Sequence, residues 1–208
     1  MKNLIIIDHP LIKCDLTVLR NKKTSSRKFR EVLSRAASLI AYEVLRDLKT
    51  NEISVQTPLE KTKGAVVGRQ IVLVPILRAG LGLIEGFVRV IPDVLIGHIG
   101  LFRDEATLKP IDYYFKVPRN LNKALVLLLD PMLATGGSAA AAITYLKDKG
   151  ARNIIMASLV AAPEGVKTLQ KAHPDTKIYT CALDRKLNNR GYILPGLGDA
   201  GDRIFGTE

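Results

Sequence analysis

Between residues 29 and 48 the chain places apolar side chains at Phe29, Val32, Leu33, Ala36, Ile40, Val44 and Leu48, three or four residues apart. That spacing gathers them on one face of a helix and predicts an amphipathic α-helix whose other face meets water. Thr24, Ser25 or Ser26 can accept a bond from the unpaired N–H groups of its first turn, and no Glu or Gln lies three residues on to complete a capping box. From Gln70 the pattern changes to IVLVP, DVLIGHIGLF, ALVLLLD, NIIMASLV and TKIYTCALD, short runs that are apolar without alternation. Strands of that kind are buried on both faces, as in a parallel sheet covered by helices.

Helical stretches separate these runs. Ser138 to Gly150, SAAAAITYLKDKG, is Ala-rich, polar at its start, basic near its end and closed by glycine; Pro163 to Ala172 follows as the next helix. Strand, helix, strand, helix, strand from Leu125 to Leu183 predicts an α/β fold with two right-handed crossovers. Ligands in such sheets bind outside the carboxyl ends of the strands. RDEATLKPIDYYFKV, between Phe102 and Pro118, reads as a polar turn between two extended pieces, a hairpin lid over residues 102–118. The last stretch, Leu187 to Glu208, is Gly-rich with no helical or strand period and is expected to be irregular, a kind of segment that is usually functional or disordered, but its Tyr192, Ile193, Leu194, Ile204 and Phe205 argue that it docks.

Composition narrows the class. The 208 residues are 47% hydrophobic and 25% charged, which excludes a disordered or collagenous chain and suits one domain over 1–208. No run of about 18 apolar residues offers a membrane span. The opening MKNLIIIDHP is too short in its apolar part for a signal peptide, so a cytoplasmic location is expected. Cys14 and Cys181 stand apart without C-x-x-C spacing, which fits a reducing compartment. His9, His98 and His173 lie far apart and lack ligand spacing. The 31 Lys and Arg against 20 Asp and Glu give a formal charge of +11, which fits a polyanionic small substrate or nucleic acid. Aromatics at 5% and the lack of a recognised RNA-binding motif argue against nucleic acid.

The strongest local signal is LVLLLDPMLATGGSA, Leu125 to Ala139: a buried strand, a carboxylate, a Thr-Gly-Gly turn and a helix start. Gly136 and Gly137 allow backbone to approach an anion, while Thr135, Ser138 and the first-turn N–H groups supply donors. Asp130 at the strand end can accept bonds from sugar hydroxyls, so a sugar phosphate fits; a tight turn with a helix cap is the plainer alternative. No Lys follows the glycines, which excludes a triphosphatase P-loop. Gly196 to Gly201 spells G-x-G-x-x-G, but a dinucleotide site needs a following helix and a further strand, and seven residues remain.

DPMLATGGS, Asp130 to Ser138, resembles the phosphoribosyl-diphosphate loop of the type I phosphoribosyltransferases. GYILPGLGDAGDRIFGT, Gly191 to Thr207, resembles the uracil-binding signature of the uracil phosphoribosyltransferases, and VPILRAGLG and FRDEATLKP resemble further segments of that family. The likeness covers nearly the whole chain. It implies the type I fold, a mainly parallel twisted sheet flanked by helices with a lid hairpin and a C-terminal hood over about 187–208. It implies a pentosyltransferase that moves a 5-phosphoribosyl group from 5-phosphoribosyl-1-diphosphate (PRPP) to N1 of uracil, giving UMP and diphosphate in pyrimidine salvage.

The resemblance also distributes roles. The loop of Asp130, Pro131, Met132, Leu133, Ala134, Thr135, Gly136, Gly137 and Ser138 takes PRPP, with Asp130 on the ribose. Arg78 and Arg103 take the diphosphate and are catalytic together with Asp199, which also faces PRPP through a water on Mg²⁺. Uracil lies against Ile193 and the backbone of Gly198, Asp199 and Ala200, read by main-chain N–H and C=O groups with no side-chain base. Many type I relatives carry two adjacent acids at the head of the loop; here Pro131 follows Asp130, so no second carboxylate is assigned to the ribose. The resemblance further implies a homo-oligomer and GTP as an effector. A nucleic-acid-binding regulator built on the same fold is the alternative.

Overall fold

The computed structural model describes residues 3–103 and 110–207. In chain order the elements are β1 (Leu4–Ile6), α1 (Pro10–Arg20), α2 (Ser26–Val44), β2 (Thr50–Gln56), β3 (Lys61–Val67), β4 (Ile71–Leu77), α3 (Leu81–Val90), β5 (Leu95–Ile96) and β6 (His98–Arg103). There follow β7 (Pro110–Lys116), β8 (Leu125–Leu129), β9 (Met132–Leu133), α4 (Gly137–Asp148), β10 (Asn153–Ala161), α5 (Pro163–Ala172), β11 (Lys177–Leu183), β12 (Lys186–Leu187), β13 (Ile193–Leu194) and α6 (Ala200–Phe205).

The main sheet runs β1-β11-β10-β8-β4-β6-β7, with β5 beside β4 and β9 beside β10. Its pairs are parallel except β6 with β7, so the α/β reading holds. Alternate side chains of β4 and β8 feed two cores. Leu73, Leu127 and Leu129 pack with Phe29, Leu33 and Ile40 of α2 and Phe87 of α3. Val72, Val74, Val126 and Leu128 pack with Ile143 and Leu146 of α4 and Leu169 of α5. The sheet is therefore a middle layer, its strands buried on both faces as the unalternating runs require.

The helical stripe becomes α2, with Ser25 as its cap accepting from the Lys28 N–H at 3.4 Å. The helix stops at Val44, and Leu48 packs on the core from beyond its end. DVLIGHIGLF is not one strand: it divides at Gly97 into β5 and β6, which contact different stretches of β4. The hairpin expected over 102–118 is β6–β7, and its turn at 104–109 lies outside the described residues. The tail from Leu187 is not irregular. It holds β13, paired antiparallel with β12, and the short helix α6.

Among the described residues β2 and β3 pair only with each other, every residue of both except Gly64 being exposed. Their strands carry no buried face, so no apolar period marks them in the sequence.

Candidate active site

β4 and β8 lie side by side and end at the same edge of the sheet. From β4 the chain turns through Arg78, Ala79 and Gly80 into α3, and the Leu77–Arg78 peptide is cis. From β8 it passes Asp130 into β9 and the Thr135-Gly136-Gly137 turn that opens α4.

Backbone fixes this second loop. The Pro131 carbonyl accepts from the N–H groups of Leu159 and Val160, each at 3.0 Å, and the Leu133 carbonyl accepts from Ala162 at 2.9 Å. Gly136 adopts φ +82°, the left-handed region that disfavours any Cβ, and a Cβ there would stand 2.5 Å from the Gly165 carbonyl oxygen. Among the described residues no side-chain hydrogen bond caps α4, and the dipole of the helix favours an anion at its first N–H groups. Asp130 is half-buried and accepts from the Met132 N–H at 3.2 Å. Burial pushes its carboxyl up to about 7, the Asp199 charge adds to the rise, and the Met132 bond opposes it.

The opposite wall is the C-terminal segment, which is docked rather than loose. Ile193, Leu197 and Ile204 are buried in the α2 core. Arg20 of α1 forms a two-pronged pair with Asp184, at 2.9 and 2.7 Å, and also donates to the Gly196 carbonyl at 2.9 Å. Asp184 in turn accepts from the Gly196 N–H at 2.9 Å. Arg203 donates to the carbonyls of Leu19, Leu197 and Asn21, and its guanidinium lies 4.4 Å from the centre of the Phe29 ring. Arg30 donates to the Ile204 carbonyl at 2.7 Å. The Asn188 side chain accepts from the Arg190 and Tyr192 N–H groups, at 2.9 and 3.0 Å, and shapes the β12–β13 turn. Asp199 caps α6 by accepting from the Asp202 N–H at 3.1 Å.

Between the two walls lies a cleft of about 900 Å³. Met132, Ala134 and Ser138 line it from the loop, and Ile193, Gly198, Asp199 and Ala200 from the tail. Asp130, Thr135, Gly136 and Gly137 complete the loop's backbone course. Pro131 and Leu133 are buried, the latter in the core against α4 and α5, so their part is to anchor the loop through main-chain bonds. Arg78 stands beside the cleft, next to Ala79 and Gly201 of its lining. Arg103 ends β6, and its side chain lies outside the described residues.

Sequence reasoning missed Ala79, Arg190, Gly191, Tyr192 and Gly201 as cleft residues, and Gly165 as the backbone against which the loop packs. Only the fold brings them there; the sequence signal was limited to Tyr192 and Gly201 flanking positions already singled out. A helix does open within the G-x-G-x-x-G letters, at Ala200, but it has six residues and among the described residues no strand follows it, so the dinucleotide reading still fails.

A family model described as uracil phosphoribosyltransferase matches residues 6–207. The chain belongs to the uracil phosphoribosyltransferase family. A curated uracil phosphoribosyltransferase of Finegoldia magna is 54% identical over the whole of both chains. One of Dictyoglomus turgidum is also 54% identical, over 98% of this chain and 99% of its own. A solved protein of Aquifex aeolicus superposes with a TM-score of 0.94 at 36% identity, covering 99% of each chain. The adenine phosphoribosyltransferase of Trypanosoma brucei, at 16% identity and a TM-score of 0.58, shares the fold over 92% of this chain and 88% of its own. In this uracil phosphoribosyltransferase family member the loop and the tail signature are thus the two faces of one cleft.

Proposed function

We propose that this protein is a uracil phosphoribosyltransferase, a pentosyltransferase that forms UMP and diphosphate from uracil and PRPP and so salvages the pyrimidine. The observation that carries the reading is the facing of an uncapped helix N-terminus, with its Gly136 turn, across one cleft from the backbone of Gly198 to Ala200. The 5-phosphate sits on the Thr135–Ser138 turn, and Asp130 accepts from the ribose hydroxyls. Uracil lies on Ile193, its carbonyls and N3–H facing main-chain partners from Gly198 to Ala200. Arg78 and Arg103 take the diphosphate as planar forks.

N1 of uracil bonds to ribose C1 as the C1–oxygen bond breaks. The electron pair leaves with diphosphate, and the N1 proton passes to water. Holding both reactants in line and matching the charge of the leaving group supply most of the acceleration.

The Asp199 charge adds to the rise of the Asp130 carboxyl, a repulsion that a divalent cation held near Asp199 would relieve. Among the described residues no three His, Cys, Asp or Glu side chains cluster, which suits Mg²⁺ carried mainly by substrate oxygens, with Asp199 reaching it through water. When bound, the ion supplies positive charge against the diphosphate.

The exposed β2–β3 hairpin, with Ile53, Val55, Val66 and Val67 in water, supports a homo-oligomer. GTP as effector rests on the family resemblance. Free Cys14 and Cys181 support the cytoplasm, and no described helix is long and apolar enough to cross a membrane.

The test mixes the protein with PRPP, Mg²⁺ and uracil, orotate, guanine or hypoxanthine, and follows products by chromatography. UMP alone, lost on chelation, is the expected result; a nucleotide from another base with none from uracil would overturn the reading.

A further inference from the structure

Arg78 is held from the far side of the cleft. Its Nη2 donates to Asp202 Oδ1 at 2.9 Å, and its guanidinium carbon lies 5.8 Å from the centre of the Phe205 ring. Both partners belong to α6, more than a hundred residues away in sequence, and α6 starts at the uracil side of the cleft. Asp202 also accepts from the Thr207 hydroxyl at 2.5 Å, and its own N–H donates to Asp199. The Thr207 hydroxyl first, and then Arg78, hold the Asp202 carboxyl below the usual carboxylate range, so it is an anion at neutral pH. The side chains of Arg78 and Asp202 are 54% and 29% exposed, so water weakens the pair as a source of stability. Its use lies in geometry. A guanidinium carries five N–H donors, and one directed to Asp202 leaves the rest of the fork for another anion.

We propose that Asp202 is a positioning residue, tethering Arg78 to the uracil-side helix so that the free part of its fork is aimed at the diphosphate of PRPP. The inference rests on the uracil phosphoribosyltransferase reading, and gives the second aspartate of GDAGD a task apart from the first. The tether also makes the diphosphate-side turn and the base-side helix move as one body, since Asp202 bonds to Arg78 through its side chain and to Asp199 through its backbone.

The experiment compares steady-state kinetics of wild type, Asp202→Ala, Asp202→Asn, Arg78→Ala and the double variant Arg78→Ala/Asp202→Ala, with equilibrium binding of uracil and inorganic diphosphate. Loss of one charge-assisted bond should raise the KM for PRPP about tenfold in Asp202→Ala, with diphosphate binding weakened alike and uracil binding within about twofold of wild type. Asp202→Asn, which keeps an acceptor, should fall between. Asp202→Ala should add nothing once Arg78 is gone. If uracil binding falls as far as PRPP binding, or the two substitutions add in full, Asp202 merely braces α6 and the inference is overturned. Wild type that binds diphosphate but makes no UMP would overturn the enzyme reading and the inference with it, a result separate from normal wild-type turnover with the wrong variant pattern.

Discussion

The wall from Asp130 to Ser138 is pinned by backbone bonds to a buried strand, whereas the wall from Gly191 to Gly201 is also held by the side chains of Arg20 and Arg203, which tie it to α1 by hydrogen bonds and to Phe29 of α2 by a ring contact. The first can fail only if the main chain is forced out of shape. The second adds to its buried Ile193 and Leu197 and its β12–β13 pairing a few charged contacts, each removable by one truncation. A phosphate that must always be met by N–H groups suits the rigid wall, and a base that must enter and leave beneath a Gly-rich segment suits the clamped one.

The sharpest way to break the rigid wall is Gly136→Val. A left-handed φ and a Cβ driven onto the Gly165 carbonyl together should cost about 2–4 kcal/mol of stability and about a hundredfold or more in kcat/KM for PRPP. Thermal unfolding and kinetics check both numbers. On the clamped wall the counterpart is Arg20→Ala, which leaves the buried Asp184 carboxylate without its cation. A loss of about 3 kcal/mol is expected, with the KM for uracil rising more than the KM for PRPP; an equal rise in both would blur the division between walls.

Asp130→Asn sharpens the contrast through pH. The folded carboxyl keeps its proton up to about 7, while the unfolded one gives it up near 3.8. Between those values the native state binds more protons, so wild type loses stability as pH rises through the window and is fully favoured only below it. The asparagine variant lacks that slope and should be more stable than wild type at pH 8 by about 1–2 kcal/mol, a figure reduced because the side chain is only half-buried. Its KM for PRPP should rise. Denaturant melts at pH 4 to 8 decide this, and parallel curves would remove the burial argument. The smallest effect is expected from Glu164→Gln at the exposed edge of the clamped wall, where the carboxylate accepts from the Leu187 N–H at 3.1 Å. Uracil kinetics should stay within about twofold of wild type, as for most surface substitutions.

Much of the sheet was legible because β4, β8, β10 and β11 are buried on both faces and read as unbroken apolar runs. β2 and β3 were not, since strands exposed on both faces leave no apolar period, and β1 has three residues. α1 was missed because its cap is the His9 side chain, accepting from the Leu11 N–H, where Ser, Thr, Asp or Asn is the usual signal. The phosphate loop was legible because its glycines stand directly before an Ala-rich helix. That the tail docks was legible in its apolar Tyr192, Ile193, Leu194, Ile204 and Phe205, but β13 and α6 were not, because the bonds of Arg20 and Arg203 to Gly196, Leu19 and Asn21 that help hold them span more than 170 residues. Shorter but still non-local separations hid the packing of Gly165 on Gly136 and the Arg78–Asp202 pair, which is 124 residues apart in sequence.

The division of labour between the two walls is tested most directly by a crystal structure of the protein with UMP bound. The account expects the 5-phosphate within hydrogen-bond reach of the N–H groups from Gly136 to Ser138, and the uracil ring against Ile193 with its carbonyls facing the backbone of Gly198 to Ala200. A phosphate lodged away from the α4 turn, or a base lying outside the C-terminal segment, would contradict it.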